Sequence, residues 1–109
     1  MIFKTCKFYE KTLGKQEASV KNKIKEFMVF KHATPRDKFG SSDYAFSASG
    51  HFAGFWHAKL SFDISIIYKI EGGFCYLYGV FSHDEIGTGQ PQNKNKQATI
   101  GKKLKNQQF

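Results

Sequence analysis

From Gly54 to Gln90 the sequence reads GFWHAKLSFDISIIYKIEGGFCYLYGVFSHDEIGTGQ, three β-prone segments in immediate succession. Connections this short leave room only for strands that turn back on their neighbours, so the stretch predicts an antiparallel meander. Ala53 to Ser61 alternates, with Trp56, Ala58 and Leu60 on one side and Phe55, His57 and Lys59 on the other. Ile64 to Ile70 sets Ile64, Ile66, Tyr68 and Ile70 against Ser65, Ile67 and Lys69. Glu71-Gly72-Gly73 then supplies a tight hairpin, because glycine accepts the positive φ such turns require. The third segment, Phe74 to His83, opposes Phe74, Tyr76, Tyr78 and Val80 to Cys75, Leu77, Phe81 and His83. The meander therefore carries two imidazoles, His57 and His83, on strands able to lie side by side.

The flanks complete a mixed domain. Ile2 to Phe8 alternates well enough for a first strand. Val20, Ile24, Phe27 and Met28 recur at helical spacing, with Lys21, Lys23, Lys25 and Glu26 on other faces, so one or more helices are expected near residues 16–32. Pro35 should end them, since the residue before a proline is pushed out of the helical basin. Arg36 to Gly50 is rich in Gly, Ser and Asp and reads as a loop. After Glu85, Gly87-Thr88-Gly89-Gln90-Pro91 breaks the sheet, and Lys96 to Phe109 has the Ile100 and Leu104 stripe of a short C-terminal helix. The expected fold is α+β, one domain over residues 1–109, with an antiparallel sheet packed against N-terminal helix or helices.

Charge narrows the partners. The formal net charge is +8, and every basic residue except Arg36 is a lysine. Such a field attracts polyanions, nucleic acid or an acidic protein, and says nothing about fold. Cys6 and Cys75 match no metal-ligand or redox spacing, and Met-Ile-Phe-Lys is not the start of a signal peptide. No apolar run approaches the roughly 20 residues needed to span a bilayer. A cytoplasmic protein with reduced thiols is expected.

Several short pieces, in order, resemble a known family: Phe39-Gly40 with Asp43-Tyr44, then Trp56-His57-Ala58-Lys59-Leu60-Ser61, Ile67-Tyr68-Lys69-Ile70, Ser82-His83-Asp84-Glu85, and Ile100-Gly101-Lys102 before Phe109. Together with the order strand, helix, three strands, they resemble the RelE superfamily of bacterial toxins, nearest the YafO and YafQ branches. The similarity covers roughly residues 39 to 109; before that only the pattern of elements matches. The resemblance implies an endoribonuclease toxin of a type II toxin–antitoxin system that cuts translated mRNA in the ribosomal A site. It implies metal-independent acid–base catalysis without a cofactor, and a cognate antitoxin as partner beside the ribosome and mRNA.

Metal-free RNA cleavage needs a base for the 2′-OH proton, a cation for the charged phosphorane, and an acid for the leaving 5′-oxygen. Histidine suits both proton steps. His83, resembling the histidine at the end of the family's final strand, is the expected acid; His57 is a base or a phosphate contact. Lys59 shares the His57 face and stabilises charge. Asp63, and less strongly Asp84, could orient an imidazole or simply cap a turn. His32 and His51 are expected to take no part. Tyr68 is a candidate for stacking on an extruded base, although its apolar face argues for packing first. Lys69 stands as an RNA contact in place of the arginines of several relatives, because Arg36 lies before the sheet. Lys94, Lys96 and Lys102 either touch RNA phosphates or keep the tail soluble. Two other readings stay open: a non-catalytic RelE/ParE-fold toxin acting on a protein target, and a basic RNA-binding module.

Overall fold

The computed structural model describes residues 1–87 and 94–109. In chain order the elements are β1 (Ile2–Thr5), α1 (Lys7–Gly14), α2 (Ala18–Ala33), β2 (Tyr44–Ala45), β3 (Trp56–Lys59), β4 (Ile64–Glu71), β5 (Phe74–Ser82), α3 (His83–Ile86) and α4 (Lys94–Lys105). The strands form one sheet in the order β1-β5-β4-β3-β2. The α+β domain expected from the sequence is present, including the C-terminal helix. The expected break at Thr88–Pro91 lies outside the described residues.

The meander forms as its alternation predicts. Gly72 and Gly73 both take positive φ, 56° and 83°, and bring Glu71 opposite Phe74. β4 runs antiparallel to both β3 and β5, whereas β1 joins β5 in parallel, the chain between them passing through α1, α2 and the strands β2 to β4. The helical stripe expected around residue 24 becomes two helices, of which α2 buries Val20, Ile24 and Phe27. α2 ends at Ala33, two residues before Pro35.

Both faces of the sheet are covered. One face, with Ala58, Leu60, Ile66, Tyr68, Cys75, Leu77 and Val80, packs against Tyr9 of α1 and the stripe of α2. The other face, with Ile67 and Phe81, meets Ile100 and Leu104 of α4 and Phe52 and Phe55 of the loop before β3. Gly101 allows α4 to approach that loop, since a Cβ there would stand 2.6 Å from the His51 carbonyl oxygen.

Three expectations about the strands are corrected. First, the strict alternation assigned to Phe74–His83 fails at a bulge. Ile67 pairs with Gly79 but Tyr68 pairs with Leu77, so Tyr78 is the extra residue. Past it the parity inverts: Val80 joins Cys75 and Leu77 on the α1/α2 face, and Phe81 turns to the α4 face. Second, His83 is not a strand residue. β5 ends at Ser82, whose N–H donates to Glu85 Oε1 at 3.0 Å, and His83 opens the helical turn α3. Third, the loop assigned to Arg36–Gly50 contains β2, which pairs with β3 through Tyr44 opposite His57 and Ala45 opposite Trp56.

The upper part of β5 has no β1 beside it, because the last β1 pair is Thr5 with Leu77. α1 takes over there: the Val80 N–H donates to Thr12 Oγ1 at 3.0 Å, and that buried hydroxyl donates to the Tyr9 carbonyl at 2.9 Å.

Candidate active site

His57 and Lys59 leave β3 on the α4 side of the sheet, the parity the sequence predicts. Lys59 lies opposite Ser65 of β4, and His57 lies between Tyr44 of β2 and Ile67 of β4. Ile64 pairs with Ser82, so the first residue of α3, His83, arrives beside this row. The backbone N–H of His83 donates to the Asp63 carbonyl at 2.9 Å, which ties the turn to the β3–β4 connection. The result is a cleft of about 180 Å³ lined by Ser42, Tyr44, His57, Lys59, Ser65 and His83. His83 Nε2 lies 3.4 Å from Ser65 Oγ.

The two imidazoles have different surroundings. His57 is 3% exposed, held between the rings of Tyr44 and Phe46 at centroid distances of 4.3 and 4.4 Å. Neither of its ring nitrogens has a hydrogen-bond partner among the described residues. Leaving a buried polar group unpaired costs about 1–3 kcal/mol, a cost commonly tolerated where function requires it. Burial lowers the pKa of His57 from its ordinary 6.5; the Asp43 charge opposes this and His83 adds to it. His83 is half-buried, and its pKa is also lowered, first by burial and then by the Lys59 ammonium, against the carboxylates of Asp63 and Asp84. Both rings are therefore neutral at pH 7 and able to accept a proton.

Behind the cleft, on the other face of the sheet, a buried charge pair fixes the approach to β2. Asp43, fully buried, accepts from Lys31 Nζ at 2.6 Å, from the Phe39 N–H at 2.8 Å and from the Tyr68 hydroxyl. Lys31, 3% exposed, also donates to the Asp37 carbonyl at 2.6 Å. Asp43 immediately precedes Tyr44, so this network sets where Tyr44 meets His57.

The structure thus gathers His57, Lys59 and His83, with Asp63 joined through its backbone and its nearby charge. Ser65, Tyr44 and Ser42 were not anticipated. Tyr68 stands apart: it lies on the α2 side, is 2% exposed and is committed to Asp43, so its ring has no open face for a base. Burial and the Asp43 carboxylate raise its pKa. Lys69 is also elsewhere, toward the other end of β4, with Nζ 4.3 Å from the Phe55 ring centroid. Lys94, Lys96 and Lys102 are exposed on α4, Lys96 lying 4.0 Å from Glu85, and none of them lines the cleft. Arg36 lines a separate hollow of about 560 Å³ beside Trp56 and His32. That hollow is larger, and there His32 Nδ1 faces the Met1 α-amino group at 3.3 Å rather than a second imidazole. Among the described residues no three His, Cys, Asp or Glu side chains are grouped to hold a metal ion. No helix among them is long and apolar enough to cross a membrane.

No family model and no curated protein matches the sequence. Solved structures do. The chain is similar to a YoeB/ParE toxin from Agrobacterium tumefaciens, at 16% identity and a TM-score of 0.62 over 76% of this chain and 99% of that one. It is similar to a copper-bound mutant toxin from Helicobacter pylori, at 20% identity and a TM-score of 0.60 over 79% and 98%. A conserved hypothetical protein from the same organism gives 17% identity and a TM-score of 0.55 over 79% and 98%. The fold is that of these toxins. At these identities the likeness is one of fold: it agrees with the toxin-like α+β architecture expected from the sequence, and it does not support the placement nearest YafO and YafQ.

Proposed function

We propose that the chain is the toxin of a type II toxin–antitoxin pair, an endoribonuclease of the YafO/YafQ kind that cuts translated mRNA on the ribosome. The observation that carries this reading is the convergence of His57, Lys59 and His83 on one cleft, within a chain of net charge +8. Cleavage proceeds by attack of a ribose 2′-oxygen on the adjacent phosphorus, expelling the 5′-oxygen of the next nucleotide and leaving a 2′,3′-cyclic phosphate. His57, desolvated and neutral, takes the 2′-OH proton once the Tyr44 and Phe46 rings that enclose it move to admit the ribose. Lys59 faces the non-bridging oxygens, where negative charge grows in the transition state. A phosphate seated against Lys59 also offsets the cation beside His83 and favours its imidazolium, which then protonates the leaving oxygen. Asp63 supports that imidazolium by its charge, and Ser65 orients the ring.

The lysines of α4, including Lys94, Lys96 and Lys102, supply a diffuse attraction for RNA. A small acidic antitoxin is the expected partner on this basic surface, and complementary charge speeds that association.

A second reading, a RelE/ParE-fold toxin acting on a protein, is favoured by one feature. The sole arginine lies outside the cleft, and lysine lacks the bidentate fork that grips a phosphate. Incubation with translating ribosomes, followed by primer extension to map new 5′ ends, separates the two. New ends within coding sequence support the nuclease; growth arrest on expression with intact mRNA supports the protein-directed toxin.

A further inference from the structure

Between β3 and β4 the chain turns through Leu60, Ser61, Phe62 and Asp63, and the tip of this turn is a phenylalanine 88% exposed. Leaving a phenyl ring in water is unfavourable, and nothing in the turn requires one: the Leu60 N–H donates to the Ile64 carbonyl through backbone atoms alone. The placement is specific. Lys59 Nζ, whose residue lines the cleft, stands 5.4 Å from the centroid of the Phe62 ring. The next residue, Asp63, holds His83 through its carbonyl. Lys59 and Ser42 also line a second hollow of about 260 Å³, edged by Leu60 and Ser61 of the same turn. An exposed ring thus adjoins a cation, an acid–base pair and room for a further group.

We propose that Phe62 is a stacking platform for an unpaired RNA base, that of the nucleotide next to the phosphate held at Lys59. The ligand this arrangement fits is a planar π-system joined to an anion, which is a nucleotide: the base lies on the ring and its phosphate meets the ammonium. Because stacking uses the face common to all bases, the contact adds affinity with little sequence preference. The inference rests on the RNA reading of the cleft and adds a binding residue to it. Phe62 touches the substrate away from the reacting atoms, so its loss weakens binding more than chemistry.

The test is direct binding. In a Trp56→Phe background, Phe62→Trp provides a reporter at the turn, and the probe is a short unstructured oligoribonucleotide with 2′-O-methyl riboses, which lacks the nucleophile and cannot be cut. Quenching by this probe, and its absence with an oligonucleotide of the same length carrying abasic sites, is the expected result. In ribosome cleavage assays Phe62→Ala should raise KM roughly tenfold with a much smaller change in kcat, and Phe62→Tyr should restore KM, the scale set by stacking on one base. Equal quenching by the abasic strand, or wild-type KM in Phe62→Ala, would overturn the proposal. So would loss of antitoxin affinity in Phe62→Ala with RNA binding unchanged, which would make the turn a protein contact. Base-dependent quenching without any cleavage by the wild-type protein would leave the platform standing and remove the nuclease.

Discussion

Asp43→Asn should destabilise the fold far more than its size suggests, because the substitution removes a charge and almost no volume. The wild-type carboxylate accepts three hydrogen bonds, from Lys31, Phe39 and Tyr68, and is fully buried. The amide that replaces it could still accept from Tyr68, but it would turn an NH₂ group toward a donor and leave the Lys31 ammonium buried without its counter-ion. Breaking one partner of a buried pair costs about 3–5 kcal/mol. Domains of this size have about 5–15 kcal/mol of total stability, so a large share would be lost. The melting temperature should fall by roughly 12–20 °C at about 4 °C per kcal/mol. Urea denaturation of wild type, Asp43→Asn, Lys31→Met and the double variant forms a cycle. The double variant should be more stable than the sum of the singles by about 2 kcal/mol or more, because it leaves no unpaired charge. An Asp43→Asn stability within about 1 kcal/mol of wild type, or singles that simply add, would refute the argument that this pair is desolvated and interdependent.

Two further effects follow from the packing and the titrations. Gly101→Ala should destabilise by about 1 kcal/mol or more despite alanine's better helix propensity, since its Cβ would press within 2.6 Å of the His51 carbonyl oxygen; Gly14→Ala, with nothing within 4 Å, is the neutral or stabilising control, and thermal melts compare them. His57 and His83 have folded pKa values below the ordinary 6.5, so the unfolded chain binds more protons as pH falls through that value. Stability should therefore be full above about pH 7 and decline as pH falls below the ordinary 6.5, and His57→Phe should flatten that decline in urea midpoints measured across the range; parallel slopes for the two proteins would contradict the burial of a neutral His57.

The parts of the molecule that were legible in the sequence are those where polar and apolar residues contrast. Ile64, Ile66, Tyr68 and Ile70 pack on one face as their spacing predicts, and His57 and Lys59 share the other. β5 offers little such contrast: aromatic and aliphatic side chains occupy both of its faces, so period two cannot reveal where a residue is added. Gly79 was the available cue, being a glycine inside a strand. Its missing Cβ leaves space for the Phe81 ring, which would otherwise stand 2.4 Å away. The helical turn at His83 also had a signal, Ser82 and Glu85 spaced as a capping pair, which the apolar run before it obscured. Lys31 continues the core-facing stripe of Val20, Ile24 and Phe27, which marks it for burial, but its partner was not legible, since only the fold brings Asp43 to it. Ser65 joins the site by strand register alone, which a single sequence does not specify.

The RNA-cleaving site proposed for this protein rests on His83, with His57 and Lys59. It is tested most directly by following cleavage of one mRNA on translating ribosomes with purified wild-type, His83→Ala and Lys69→Ala proteins, each checked for folding by circular dichroism. His83→Ala should lose about 10²- to 10⁴-fold in rate, the contribution of a general acid, and Lys69→Ala, altered outside the cleft, should lose much less. The wild-type product should end in a 2′,3′-cyclic phosphate. Cleavage by His83→Ala at the wild-type rate would contradict the assignment and move the chemistry out of this cleft.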